Sequence, residues 1–185
     1  MCIRDRGYEN AAVVDHRRLA IEGELGVKLL SADSADISEW EVEYEPIIEI
    51  HMAGMDGPKE DDLGRRGLEL IGTNCIHAGV VHSSNTKRCL IGEISLNEVM
   101  AVSVDKKKVE QVTLSELKVG EMLGPVATLS WLLKKLKSEG NKEEALLREG
   151  AFVICSTPGA LHLVPPGSEV RVEFSGLEVS CIAAT

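Results

Sequence analysis

A chain of 185 residues is long enough for one domain with a real core, able to bury about 70% of its unfolded surface. It is 44% hydrophobic and 27% charged, an ordinary globular balance, and no apolar run approaches the roughly 20 residues that a membrane helix needs. The net charge of −10, with a pI near 5.0, argues against nucleic acid and anionic membranes as partners, because both recruit basic surfaces.

The first residues, Met1-Cys2-Ile3-Arg4-Asp5-Arg6, have no signal-peptide core and read as a non-native remnant. Residues 1–14 are accordingly set aside as a non-native or truncated N-terminus, and 15–185 are read as one domain. Leu19 to Leu30 has strand periodicity: Ile21, Gly23, Leu25, Val27 and Leu29 fall on one face, and Ala20, Glu22, Glu24, Gly26 and Lys28 on the other. A polar loop, Ser31 to Ser38, leads to a second strand, Val42 to Met52. Gly54 to Gly64 is a Gly- and Asp-rich surface loop, and Arg65 to Ile71 a short helix weakened by Gly67. From Cys75 the pattern is β again. Val99 to Val104 and Val109 to Leu114 flank a polar turn, Asp105-Lys106-Lys107-Lys108.

Pro125 to Ser138 is the clearest helix. Pro125 suits its first turn, Val126, Leu129, Leu132, Leu133 and Leu136 form its apolar stripe, and Gly140 stops it. Ala151 to Cys155 reads as a short buried strand and Pro165-Pro166-Gly167 as a turn. Two closing strands follow: Val170, Val172 and Phe174 alternate with Glu169, Arg171 and Glu173, and Gly176 breaks the run before Leu177 to Ile182. One mainly β domain with few helices is expected. The cysteines Cys2, Cys75, Cys89, Cys155 and Cys181 are odd in number and form no CxxC pair. They read as reduced small hydrophobes, in keeping with a cytoplasmic or organelle-matrix location.

Glu22-Gly23-Glu24 is the most informative tripeptide. Residues two apart on a strand point to the same side, so two carboxylates can converge on one cation while Gly23 lets the opposite face pack closely. A solvated polar face has the same pattern. Glu49, embedded in Pro46-Ile47-Ile48-Glu49-Ile50, is flanked by large apolar residues and expected to be partly buried. A buried ionised carboxylate requires a cation or several donors. Three carboxylates meeting at one point require a divalent ion, and Mg²⁺ or Mn²⁺ suits an all-oxygen site completed by water. An edge strand with Glu49 in water is the other reading that stays open.

Several segments together resemble the 2-oxopent-4-enoate hydratase and oxalocrotonate decarboxylase-like family of the fumarylacetoacetate hydrolase superfamily. They are Ile21-Glu22-Gly23-Glu24-Leu25-Gly26, Pro46 to Ile50, Gly72-Thr73-Asn74-Cys75-Ile76-His77-Ala78-Gly79, Leu123 to Leu132 with Trp131, Gly150 to Thr157, Val164 to Val170, and Gly176-Leu177-Glu178-Val179. The resemblance implies a mixed α+β, mainly β fold, a β-roll or barrel like the superfamily's C-terminal domain. It makes 15–185 a single metal-binding catalytic domain, with Glu22, Glu24 and Glu49 as ligands of Mg²⁺ or Mn²⁺. It implies a small 2-oxo or 2-enol carboxylate substrate and a homo-oligomer. Hydration of a 2-hydroxy-2,4-dienoate to a 4-hydroxy-2-oxoacid is the type reaction. A decarboxylase, a C–C hydrolase of a 2-oxo-dioic or acylpyruvate-type acid, or a catalytically degenerate binder are the alternatives.

The sequence also departs from that pattern. The family's catalytic lysine and its aspartate precede the Glu-x-Glu strand, and the residues ahead of Leu19 do not carry that motif. His51-Met52-Ala53-Gly54 stands where the family has Asp-Ser-Arg, and Thr73 replaces the aspartate before Asn74. His77 is the candidate substitute acid/base, since an imidazole titrates near neutrality; a histidine packed at a strand end is the competing reading. His51 joins the carboxylate face only if no bulge intervenes. His16, His82 and His162 read as ordinary structural histidines.

Overall fold

The computed structural model describes residues 19–52, 77–119, 122–139, 147–155 and 158–183. The loop expected over 54–64 and the helix over 65–71 lie outside them, as do His16, Thr73, Asn74, Cys2 and Cys75.

Two long strands organise the molecule: β1 (Leu19–Ser31) and β2 (Glu41–Met52). They pair antiparallel in an unbroken register from Leu19↔Met52 to Leu29↔Val42, with a bulge only at the far end. One face of this ribbon carries Ile21, Leu25, Val27, Leu29, Val42 and Ile48, all fully buried, as the alternation in the sequence requires. β3 (His77–His82) and β4 (Lys87–Leu90) pair with successive halves of β2. β9 (Phe152–Ile154) and β10 (His162–Val164) pair with successive parts of β1, completing six strands.

A second sheet has the order β12-β11-β5-β6, from β5 (Val99–Val104), β6 (Lys107–Thr113), β11 (Glu169–Phe174) and β12 (Leu177–Ile182). Its inner residues Met100, Val102, Val170, Val172, Phe174 and Val179 join the apolar face of β1 and β2 in one core. Each such side chain, fully buried, contributes about 1.5–3 kcal/mol. At Gly23 the two sheets approach closely. A Cβ there would stand 2.7 Å from Val102 Cγ2 and 3.2 Å from Val172 Cγ1. The short pair β7 (Lys118–Val119) and β8 (Met122–Leu123) leads into α1 (Gly124–Glu139), the one α-helix among the described residues. Ala127 and Leu129 anchor it in the core, whereas Trp131 faces outward, 51% exposed.

Three expectations need correction. The β5–β6 turn is two residues, not four: Asp105 and Lys106 have φ of 50° and 64°, and Lys107 and Lys108 already belong to β6. Two left-handed residues match the twist of a tight hairpin. Asp105 is held there because its carboxylate accepts from Ser168 Oγ and from the Glu169 N–H, both at 2.9 Å. Lys106 is exposed and has no such tie. Lys106→Gly should therefore raise stability by about 0.5–1 kcal/mol, read as a rise of about 1–3 °C in Tm. The strand expected over 151–155 is shorter and half-buried, with Cys155 alone fully enclosed. β10 is a further strand that the sequence reading missed.

The described cysteines are reduced, as expected. Burial, and secondarily the Glu24 carboxylate, push the Cys155 thiol from 9.0 up to about 12; burial pushes Cys181 up to about 11. A thiol raised in the folded state adds stability that is complete below pH 9 and is lost as pH climbs toward those values. Thiol titration of the native protein at pH 8 should leave Cys155 and Cys181 unreacted until denaturant is added. Rapid labelling of Cys155 would contradict its enclosure.

Candidate metal and acid/base site

The second face of the β1–β2 ribbon carries the candidate residues. Glu22 and Glu49 are direct cross-strand partners, Ala20 is opposite His51, and Glu24 is opposite Ile47. Side chains at these positions share one face. Glu22, Glu49 and His51 each bring one ligand atom within 4.8 Å of the others. His51 Nε2 lies 2.9 Å from Glu22 Oε2 and 3.7 Å from Glu49 Oε2. Donors bound cis on a cation at about 2.0–2.1 Å stand roughly 3 Å apart, so this spacing fits one shared ion with modest adjustment. Two carboxylates and an imidazole are also a chemically suitable donor set for Mn²⁺.

Glu49 is oriented from its other side. Its Oε1 accepts from His77 Nδ1 at 2.5 Å, which leaves Oε2 turned toward His51. With Glu49 ionised, Nδ1 must carry the proton and His77 Nε2 is the outward atom. Burial reinforces the arrangement: His51 is 5% exposed, and the Glu49 side chain 13%.

Glu24 lies one pleat further along the same face, 3% exposed, with Cys155 beside it. It is not a member of the compact Glu22–Glu49–His51 group. Beyond it, Gly26 makes room for an aromatic ring: a Cβ there would come within 2.4 Å of Phe152 Cζ. Phe152 stands edge-on to His82, with centroids 4.9 Å apart at 66°. His82 Nδ1 in turn lies 2.8 Å from Glu45 Oε1.

The four candidates read from the sequence, Glu22, Glu24, Glu49 and His77, thus lie along one sheet face. His51 is the fifth. The bulge at Ile50/His51 lies in the β2–β3 pairing, while the β1–β2 register runs through unbroken, so His51 keeps the parity of Glu49. The i, i+2 relation of Glu49 and His51 was the signal for it. Glu45 and His82 were missed, because their contact joins residues 37 positions apart. His162 faces Glu110 at 3.2 Å, on the second sheet's side. A shallow hollow of about 620 Å³ opens there, over Glu110, Thr113 and Pro158, and contains none of the clustered residues.

No family model matches this sequence, and neither does any curated protein sequence. The fold is nevertheless shared with solved structures. 4-Oxalocrotonate decarboxylase from Pseudomonas putida G7, complexed with magnesium and adipate, superposes with a TM-score of 0.66 at 17% identity, over 89% of this chain and 60% of that one. Fumarylpyruvate hydrolase from Pseudomonas aeruginosa, in complex with Mn²⁺ and pyruvate, gives 0.61 at 15% identity, over 95% and 70%. Maleylpyruvate hydrolase from Sphingobium sp. SYK-6, in complex with manganese(II) ion and pyruvate, gives 0.58 at 12% identity, over 91% and 55%. This chain spans about 60% of the length of the decarboxylase. What is shared at these identities is the fold, and it is the mainly β roll expected from the sequence resemblance.

Proposed function

We propose that this protein is a divalent-metal-dependent enzyme acting on a small 2-oxo or 2-enol carboxylate. The observation that carries the reading is the convergence of Glu22, Glu49 and His51 on one sheet face. These three would hold Mg²⁺ or Mn²⁺, with Glu24 adjoining them on the same strand. The ion, when bound, supplies Lewis acidity that stabilises the enolate form of the acid. His77 fixes the Glu49 carboxylate, and its outward Nε2 is available to hold or move a proton at the substrate. Ala20 and Ile47, both fully buried, are apolar neighbours of these groups on the same face. The structures of similar fold support the substrate class, since two are complexes with manganese and pyruvate and a third is a complex with magnesium and adipate.

Hydration of a 2-hydroxy-2,4-dienoate is the reaction suggested by the sequence segments. Decarboxylation or C–C hydrolysis of a 2-oxo-dioic or acylpyruvate-type acid is the second reading, favoured by the activities named for the proteins of similar fold. A homo-oligomer belongs to the proposal. Among the described residues no helix is long and apolar enough to cross a membrane. Product analysis with Mn²⁺ on a panel of 2-hydroxydienoate, 2-oxo-dioic and acylpyruvate-type acids tests these readings. Water addition without carbon loss supports the hydratase, CO₂ release the decarboxylase, and two acid fragments the hydrolase. Metal binding with no turnover on the whole panel would leave the degenerate binder as the reading.

A further inference from the structure

The metal cluster uses one end of the carboxylate face; its continuation toward Gly26 carries a second, separately built device. Glu45 and His82 lie on the same face as Glu49, because Ile47 pairs with His82 and Glu45 is two residues from Ile47. The Glu45 side chain is only 9% exposed, yet one oxygen faces His82 Nδ1 at 2.8 Å and the other has no hydrogen-bond partner among the described residues. His82 is seated from a second direction by the Phe152 ring, which Gly26 admits. Its side chain is 47% exposed, so with Nδ1–H committed to Glu45 the open atom is Nε2. A buried carboxylate, an imidazole locked in one tautomer and a free outward nitrogen are the parts of a general acid/base. On an ordinary solvated strand face, neither the burial of Glu45 nor the aromatic seat would be needed.

Position gives the pair its use. Two residues along β2 and one strand across put the Cα atoms of Glu49 and His82 about 8 Å apart. That is roughly the reach of a 2-oxo acid chelated at C1 and C2 plus one hydrogen bond to its carbon chain. We propose that Glu45–His82 is a second proton-transfer pair, distinct from His77 at the metal end, that moves the C3 proton of a 2-oxo acid held at the Glu22–Glu49–His51 end; it rests on the metal-enzyme reading above. In the step, His82 Nε2 takes a proton from C3. The C–H electron pair becomes the C2–C3 π bond, and the carbonyl π pair moves to the C2 oxygen. The imidazolium, facing the Glu45 carboxylate, then returns its proton to the chain.

The test uses the full chain and two readouts: the Mn²⁺-dependent rise in Tm, and Mg²⁺-dependent exchange of the C3 protons of 2-oxobutyrate in D₂O followed by NMR. The parent should show both. His82→Ala should keep the metal response and lose exchange by about 100-fold, with partial recovery on adding free imidazole, which a merely structural histidine would not give. Glu45→Gln should slow exchange with the metal response intact, while Glu22→Gln should lose both. Exchange by His82→Ala at the parent rate overturns the proposal, as does a parent that binds metal and exchanges nothing. A parent with no metal response overturns the metal-enzyme reading and this proposal with it.

Discussion

Glu49→Gln should abolish the rise in Tm that Mn²⁺ gives the parent protein. At a metal concentration about 100 times Kd, a ligand confined to the folded state adds about 2.7 kcal/mol, which for a domain of this size is a shift of about 5–10 °C. Glu49 is central because it touches both neighbours: Oε1 accepts from His77, and Oε2 faces His51 and the Glu22 side. A carboxamide offers the ion one neutral oxygen and no charge, so binding should fall by at least 100-fold. The metal-free protein should not suffer. Glu22 and Glu49 are directly opposed across the ribbon, and like charges so placed cost up to about 1 kcal/mol. The carboxamide oxygen of the Glu49→Gln variant can still accept from His77, so its metal-free Tm should stay level or rise by about 1–3 °C. Glu24→Gln should lose only part of the metal response, because Glu24 lies outside the compact group. If it removes the response as fully as Glu49→Gln does, Glu24 is a ligand and the ion sits further along β1 than the three clustered atoms suggest.

The second large effect lies across the same strand. Gly23→Ala should cost about 1–3 kcal/mol, a fall of about 2–10 °C in Tm, although it adds a single methyl group. That methyl would meet Val102 Cγ2 at 2.7 Å and both Val172 methyls at 3.2–3.3 Å, where the sheets press together. Valine cannot turn aside, since its χ1 has few alternatives. The remedy is specific: Val102→Ala removes the clashing atoms, so the double variant should be more stable than the sum of the two single losses predicts, by about 1 kcal/mol or more. Strict additivity would mean that the sheets separate to admit the methyl instead. Gly23 also sits between Glu22 and Glu24, so a shift of β1 would move both. The Mn²⁺ response of Gly23→Ala reports on that directly.

The parts legible in the sequence were those governed by local period. Ile21 to Leu29 alternate, and they form the core face of β1; Pro125 to Ser138 repeats at helical spacing, and it is helical. The same parity placed Glu22 and Glu24 on one side of β1, whereas Glu49 shares that face only through the β1–β2 register. What pairs with what was not written locally. His162–Val164 is three residues long, too short to show a period, and is a strand only because β1 offers it a partner at Leu19 to Ile21. Glu45 and His82 each look ordinary in their own segments; their meaning arises when β3 lies against β2. The two-residue turn at Asp105-Lys106 was hidden because its stabilising contact comes from Ser168 and Glu169, more than sixty positions away.

Because β1 presents apolar residues on one side and carboxylates on the other, its tolerance to change is strongly asymmetric by kind. Substitutions can change either side alone: the polar face at Glu22 and Glu24, the packing at Ile21 and Leu25. Inserting or deleting one residue between Leu19 and Leu29 would reverse the parity of everything beyond it, turning carboxylates into the core and leucines out of it. Descendants of this protein should therefore diversify their chemistry by residue replacement within β1 and β2 and accept length variation only in the connections, such as 32–40 between the two strands. A library allowing single-codon indels throughout β1 should return folded members only at its ends.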